Sequence, residues 1–229
     1  MRMRKKRHLD ERMDGCAEVC LGWLPDYIAE ERDRPIIDKF DVKRVFGNDN
    51  PVRLEIGCGK GRFIQQTAEE NPNVNFLALE QTPNVLITAM ERTKKSGIKN
   101  LRYYAGKAEY LEKIIPPASI ELIYLNFSCP YPKERYAKHR LTHPLFLEIY
   151  KNLLSPDGFI KQKTDNQKLF EFSIENFSQT GWGLRNVSLD LHNSNITGNI
   201  MTEYEERFTQ MGMPIFYLEA FLHNYCSPN

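Results

Sequence analysis

Short apolar runs alternate with longer amphipathic stretches over most of the chain. The runs Arg53–Ile56, Phe76–Leu79, Leu101–Tyr104, Leu122–Leu125 and Phe159–Lys163 have the length and β-branched or aromatic content of buried strands. Between and after them lie segments of helical length: Arg62–Glu70, Asn84–Ser96, Ala108–Ile115, Pro144–Leu154 and Lys168–Gln179. Strands that alternate with helices predict parallel strands joined by crossovers, because a tight turn cannot join a parallel pair. Beyond the last helix the order changes. Leu184–Leu191 and Ile215–Leu222 are two apolar runs without a long helical pattern between them, and they predict an antiparallel pair completing the sheet. The expected fold is therefore α/β, a mostly parallel seven-stranded sheet with a C-terminal antiparallel hairpin.

Residues 1–50 differ from the rest. They are charge-rich, contain Pro25 and Pro35 and show no sustained strand pattern, so they read as a basic arm with short helices leading to a turn at Gly47-Asn48-Asp49-Asn50-Pro51. The arm is expected to be part of the same unit as the domain spanning residues 51–229. Its opening, Met1-Arg2-Met3-Arg4-Lys5-Lys6-Arg7, has the charge of a signal-peptide head, but no apolar run follows. No stretch approaches the ~20 apolar residues that span a bilayer. A cytoplasmic protein with no membrane partner is expected. The five cysteines, Cys16, Cys20, Cys58, Cys129 and Cys226, are scattered and read as free thiols. No spacing suggests a metal site. Lysine plus arginine number 31 against 30 acidic residues, a formal net charge of +1. That excludes a protein that coats nucleic acid by bulk charge while leaving room for a local basic patch.

Two segments carry candidate chemistry. In the first, Leu54-Glu55-Ile56-Gly57-Cys58-Gly59-Lys60-Gly61-Arg62, three glycines sit where the first strand meets the first helix, and Glu80 closes the second strand 25 residues after Glu55. Glycines admit positive φ and close approach of a ligand. An acidic residue about 20 positions on is placed to take ribose hydroxyls. The loop lacks the Gly-Lys-Ser/Thr ending of a P-loop and departs from Gly-x-Gly-x-x-Gly, which disfavours ATP and NAD. A Glu-x-Gly-x-Gly-x-Gly loop suits S-adenosylmethionine, a cationic nucleoside without phosphate, with Glu55, Gly57, Gly59, Gly61 and Glu80 as its contacts. The second segment, Tyr124-Leu125-Asn126-Phe127-Ser128-Cys129-Pro130-Tyr131-Pro132-Lys133, leaves a buried strand for a proline-braced loop with an aromatic ring at Tyr131. Lys133, Arg135, Lys138 and Arg140 follow, interleaved with His139 and His143. An aromatic ring suits a splayed base, and the basic residues suit phosphates.

These segments, with Val45–Pro51, Lys163-Thr164-Asp165-Asn166, Leu189–Ser194 and Asn199–Glu206, resemble the bacterial tRNA (guanine-N7-)-methyltransferase family over nearly the whole chain. The resemblance implies the Rossmann-like fold of class I methyltransferases, S-adenosylmethionine as cofactor, tRNA as partner, and transfer of methyl to N7 of the guanine at nucleotide 46 in the variable loop. It also implies site residues: Glu55 and Glu80 as cofactor-contacting acids, with Lys107, Ala108 and Asn126 at family cofactor positions; Lys133 and Asp165 at substrate positions; and Thr202, Glu203, Tyr204 and Glu205 as the substrate-contacting segment. A monomer or homodimer is expected. Two positions depart from the family pattern. Lys107-Ala108 stands where an Asp-Ala pair is usual, and Cys129 takes the place of an aspartate beside the methyl-transfer site. A lysine only donates, so Lys107 cannot accept from an adenine amino group. Each lost charge-assisted hydrogen bond is worth ~1.5–3 kcal/mol. Guanine N7 already carries a lone pair, so Cys129 with Asp165 as the catalytic set needs no base. The departures leave two alternatives: a diverged methyltransferase acting on another RNA base, or a tRNA-binding protein of this fold with little catalysis.

Overall fold

The computed structural model describes residues 4–21 and 40–222; Met1–Met3, Pro25, Pro35 and Cys226 lie outside the described residues. The chain divides into two compact units at Pro116/Pro117.

The first unit begins with α1 (Leu9–Asp14), a 3-10 turn at Ala17–Val19 and α2 (Val42–Phe46), then alternates β1 (Val52–Ile56), α3 (Arg62–Glu70), β2 (Asn75–Glu80), α4 (Pro83–Ser96) and β3 (Leu101–Ala105). Its strands are parallel in the order β3-β2-β1, with Leu54 opposite Leu77 and Ala78 opposite Tyr103. The helices form where the pattern requires them. Phe63, Ile64, Thr67 and Ala68 make one buried face of α3, and Leu86, Ile87, Met90 and Thr93 make one of α4. Pro83 opens α4, where a missing N–H costs nothing, and Gly97 closes it at φ +70°. A polar node pins both helices to the sheet. Gln65 Nε2 donates to Ala89 O (2.8 Å), to Thr93 Oγ1 (2.8 Å) and to the Tyr103 hydroxyl (3.2 Å). Burial pushes the Tyr103 hydroxyl well above its ordinary pKa, so it stays protonated.

The N-terminal residues are seated on α4. Leu9, Met13, Cys16 and Val19 recur at helical spacing and are buried. The Asn84 side chain accepts from Lys6 N–H (2.8 Å) and donates to Arg4 O (2.9 Å), and Arg12 grips both Glu91 oxygens at 2.7 Å. Cys20 then forms a parallel bridge with Tyr103, and Leu21 N–H donates to Tyr103 O (2.7 Å). The predicted third helix is shorter than expected. Ala108–Tyr110 is a 3-10 turn followed by only α5 (Leu111–Ile114), and Pro116-Pro117 bars any extension beyond it.

The second unit comprises β4 (Ile120–Asn126), a 3-10 stretch Glu134–His139, α6 (Pro144–Leu153), β5 (Leu154–Thr164), α7 (Gln167–Gln179), β6 (Trp182–Ser188), a 3-10 turn Leu191–Asn193, α8 (Glu203–Gln210) and β7 (Phe216–Leu222). Strand order is β4-β5-β7-β6, with β4 parallel to β5 and β7 antiparallel to both its neighbours. The seven strands and the antiparallel C-terminal pair are those the sequence predicts. The pair itself needs two corrections. β6 ends at Ser188, not Leu191, since its register slips between Arg185 and Ser188 and Asn186 takes φ +52°. The connection from β6 to β7 also contains α8, an additional helix.

Candidate functional site

Of the residues predicted to contact the cofactor, all but Asn126 lie in the first unit. After β1 the chain turns through Gly57 (φ +84°), Gly59 (φ +57°) and Gly61 (φ +79°), a sequence of left-handed conformations that side-chain-bearing residues adopt only at a cost. Backbone bonds fix the turn to the end of β2. Gly57 N–H and Cys58 N–H both donate to Leu79 O at 2.8 and 3.0 Å, and Gly59 N–H donates to Glu80 Oε2 at 3.2 Å. The other Glu80 oxygen accepts from Thr82 N–H at 2.8 Å. The glycines are not equivalent. A Cβ on Gly61 would lie 2.7 Å from Ala89 Cβ, so this position is set by packing of α3 on α4. A Cβ on Gly57 or Gly59 would meet nothing within 4 Å, so open space lies over the loop there.

Glu55 is buried in β1. Burial, followed by the Glu55 and Glu80 charges, pushes the Cys58 thiol well above its ordinary pKa, which makes it an inert filler of the loop. Glu80 lies opposite Ala105 in the sheet, and its carbonyl accepts from Gly106 N–H at 3.2 Å. Lys107 is therefore on the connection that follows the strand paired with Glu80. It is exposed, and Ala108 beneath it is buried. A carboxylate offers about four acceptor positions, and Glu80 uses two of them on the loop. It retains capacity for a pair of hydroxyls beside an open glycine turn, so the residues fit a nucleoside cofactor.

The residues predicted to contact the substrate lie in the second unit, and so does Asn126, the remaining predicted cofactor contact. Asn126 is buried at the end of β4, opposite Lys163 of β5. Phe127 follows at φ +50°, with its N–H donating to Lys163 O at 2.8 Å. Cys129 is exposed and not in a disulfide. Lys133, Arg135, Lys138 and His139 are exposed, as a phosphate-facing patch requires. Arg140 is not among them. It is 7% exposed, its guanidinium donates to Pro130 O (3.1 Å), Tyr131 O (3.1 Å) and Glu134 Oε1 (2.9 Å), and it packs 4.4 Å from the Phe172 ring centre. It braces the loop from within. His143 likewise serves the fold: its Nδ1 accepts from Leu145 N–H at the start of α6. Tyr131 is half-buried, with its ring centre 5.6 Å from that of His139.

Asp165 is half-buried just past β5, before Asn166 caps α7 through Leu169 N–H. The segment Thr202–Glu205 starts α8. Its Thr202 hydroxyl accepts from Glu205 N–H (2.9 Å) and Glu205 reaches back to Thr202 N–H (3.3 Å), a reciprocal cap. Glu203 and Tyr204 are exposed, whereas Glu205 is 0% exposed. The Glu205 carboxylate is held by Lys163 Nζ at 2.6 Å, by Asn199 Nδ2 and by His192 Nε2 at 3.2 Å. Lys163, 4% exposed, also donates to Asn199 Oδ1 and Ile200 O. The Glu205 side chain thus organises the segment, and its exposed neighbours present the outer face. Sequence reading missed Lys163, His192 and Asn199 as parts of this network, although Thr202-x-x-Glu205 is a capping-box signal. Among the described residues, no helix is long and apolar enough to cross a membrane, and no group of three or more His, Cys, Asp or Glu is placed to hold a metal ion.

A family model described as "Putative methyltransferase" matches residues 49–218. A tRNA (guanine-N(7)-)-methyltransferase of Bacillus subtilis is 44% identical over 202 residues, covering 86% of this chain and 95% of that protein. One from Listeria monocytogenes is 50% identical over 202 residues, covering 86% and 94%. The chain belongs to the tRNA (guanine-N7-)-methyltransferase family. Members of that family are methyltransferases, and S-adenosylmethionine is the methyl donor. More distant solved structures share the fold. The 16S rRNA methyltransferase KamB aligns with a TM-score of 0.61 at 15% identity, over 82% of this chain and 96% of that one. A 30S ribosomal A1408 methyltransferase from an uncultured bacterium aligns with a TM-score of 0.57 at 16% identity, over 83% and 97%.

Proposed function

We propose that this chain methylates N7 of guanine at nucleotide 46 in the variable loop of tRNA, in the cytoplasm. The observation that carries the reading is the identity of 44–50% over 86% of the chain to relatives named for guanine-N7 methylation of tRNA. S-adenosylmethionine, when bound, supplies an activated methyl group on a positively charged sulfonium.

The cofactor would be held by Gly57 and Gly59, where the loop is open, with Glu80 accepting from its ribose hydroxyls and Glu55 adding negative charge. Ala108 and Asn126 stand at cofactor positions of the family. Lys107 replaces an acceptor by a donor there, so cofactor affinity is lower than with aspartate. On the substrate side, Asp165 accepts from guanine N1–H and the 2-amino group, a pairing that needs two acceptors on one group. Lys133 anchors a phosphate. Thr202, Glu203 and Tyr204 line the base, with Glu205 holding them in place from behind.

Guanine N7 has an in-plane lone pair and is an acceptor even in a duplex. No proton has to leave before it attacks. The protein's part is alignment and exclusion of water. Cys129 therefore need not act as a base, and its replacement of an acid loosens positioning without removing an essential step. Unmodified tRNA transcript incubated with methyl-labelled S-adenosylmethionine should yield labelled 7-methylguanosine, and a transcript with adenine at nucleotide 46 should yield none. Label in another nucleoside, or none in the intact transcript, overturns the reading.

A further inference from the structure

Gly106 is a glycine for want of space. Its backbone is not left-handed, yet a Cβ there would lie 2.3 Å from Cε1, 2.9 Å from Cζ and 3.1 Å from Cδ1 of the Tyr104 ring. The ring therefore folds over the residue two positions after its own. Cε1 and Cζ are the nearest atoms, so the hydroxyl-bearing end lies against the Gly106 backbone. Tyr104 is 7% exposed and packed in place. Its neighbour Tyr103 faces the other side of the sheet, where Gln65 and Thr93 hold its hydroxyl.

The phenol of Tyr104 lies where three parts of the first unit meet. Tyr104 is opposite Leu79, whose carbonyl anchors the glycine turn. Gly106 N–H donates to Glu80 O, and Lys107 follows directly. The ring thus covers the short stretch between the ribose-side acid and the position at which the family carries an aspartate. An adenine amino group is a donor and needs an acceptor. Lys107 offers none. A phenol oxygen accepts through its lone pairs even while its own proton is donated elsewhere. Glu109 also carries an acceptor on this connection, but it is exposed, where water competes for its carboxylate.

We infer that the Tyr104 hydroxyl supplies the acceptor that Lys107 lacks, taking a hydrogen bond from the amino group of the cofactor's adenine. Tyr104 is then a base-reading residue of the cofactor site, and Gly106 is its counterpart, since any larger residue would push the ring away. The amino group carries two hydrogens, so an aspartate restored at position 107 adds to this contact without displacing it. The inference rests on S-adenosylmethionine lodging against the glycine turn.

The test is calorimetric titration with S-adenosylhomocysteine and with its 6-desamino analogue, in which hydrogen replaces the amino group of the purine. Wild type should bind the analogue roughly fivefold to tenfold more weakly, the loss of one hydrogen bond. Tyr104→Phe keeps the ring and its packing. It should bind S-adenosylhomocysteine more weakly by the same factor and discriminate between the two ligands by less than about twofold, because the hydroxyl and the amino group form one interaction. Glu109→Gln should discriminate as wild type does. Adding Lys107→Asp to Tyr104→Phe should restore discrimination to about fivefold or more, since a carboxylate accepts where the phenol no longer does. Discrimination that persists in Tyr104→Phe, disappears in Glu109→Gln or is not restored by the aspartate would each overturn the inference. Wild-type protein that binds both ligands equally overturns the inference alone. Wild-type protein that binds neither overturns the cofactor placement, and the inference with it.

Discussion

Arg140 Nη2 lies 3.1 Å from the carbonyl oxygen of Tyr131 and donates to it from inside the loop that leaves β4. Tyr131 is held at φ +41°, with Pro130 O and Glu134 Oε1 bound to the same guanidinium. A residue that reads as one more positive charge in a basic run is the support on which that run stands.

This separation of roles has a measurable consequence. Lys133→Ala should reduce the slope of log affinity for tRNA against log salt by ~0.7–0.9, the release of about one counterion. Arg140→Ala should leave the slope unchanged and lower stability by about 2–3 kcal/mol, because several buried hydrogen bonds to a charged group are lost. Salt titration of tRNA binding and thermal melts of the two variants distinguish them. A slope change in Arg140→Ala would mean that its guanidinium reaches phosphate.

The glycines of the loop should divide in the same way. Gly61→Ala places a methyl group 2.7 Å from Ala89 Cβ at φ +79°, so it combines overpacking with backbone strain and should cost about 2–4 kcal/mol of stability. Gly59→Ala has open space and pays only the left-handed conformation, about 1–2 kcal/mol. Its larger effect should fall on S-adenosylmethionine affinity, since the added methyl group occupies room the cofactor needs. Calorimetric titration alongside melting curves reads both, and a Gly59→Ala protein with unaltered cofactor affinity would place the cofactor elsewhere.

Lys107→Asp should tighten S-adenosylmethionine binding by roughly tenfold, the equivalent of one charge-assisted hydrogen bond regained. The residue follows the strand that pairs with Glu80 and is exposed, so the substitution disturbs no core packing. Isothermal calorimetry showing no change or weaker binding would remove Lys107 from the adenine side.

His143 should add a pH dependence of defined sign. Burial, then the Arg140 charge, lowers its pKa below the ordinary 6.5, in keeping with a neutral ring whose Nδ1 accepts from Leu145 N–H. The folded state thus favours the unprotonated form. Its contribution is complete above about pH 6.5 and is lost as pH falls through the lower folded value. A helix cap of this kind is worth about 1 kcal/mol. His143→Asn, which caps without titrating, should flatten the melting temperature between about pH 5 and 7 relative to wild type. Parallel curves would show that the ring does not titrate in that window.

Strand positions and the glycine turn after the first strand were legible because their signals are local. Val52–Ile56 and Asn75–Glu80 are largely apolar runs of strand length, and three alternate glycines mark a turn through positive φ that other residues resist. The helix Glu203–Gln210 was not legible from periodicity, since its one buried side chain is the charged Glu205. Its real signal is the cap Thr202-x-x-Glu205, which does not depend on an apolar face. Arg140 and Lys163 were misread or overlooked for a related reason. A chain of letters records charge but not burial, and both residues owe their roles to carbonyls and carboxylates brought from other parts of the fold. The N-terminal residues fall between these cases: Leu9, Met13 and Cys16 have helical spacing, but only the structure shows that α4 is what they cover.

The bridge between Cys20 and Tyr103 gives those residues a further significance. β3 terminates its sheet, and a bare border strand presents free amides and carbonyls to any other chain in solution. By placing Leu21 N–H on Tyr103 O, the protein spends part of its own leading segment to blunt that border. Trimming these residues would therefore expose a template for self-association, and the resulting loss of solubility would be separate from any loss of RNA affinity.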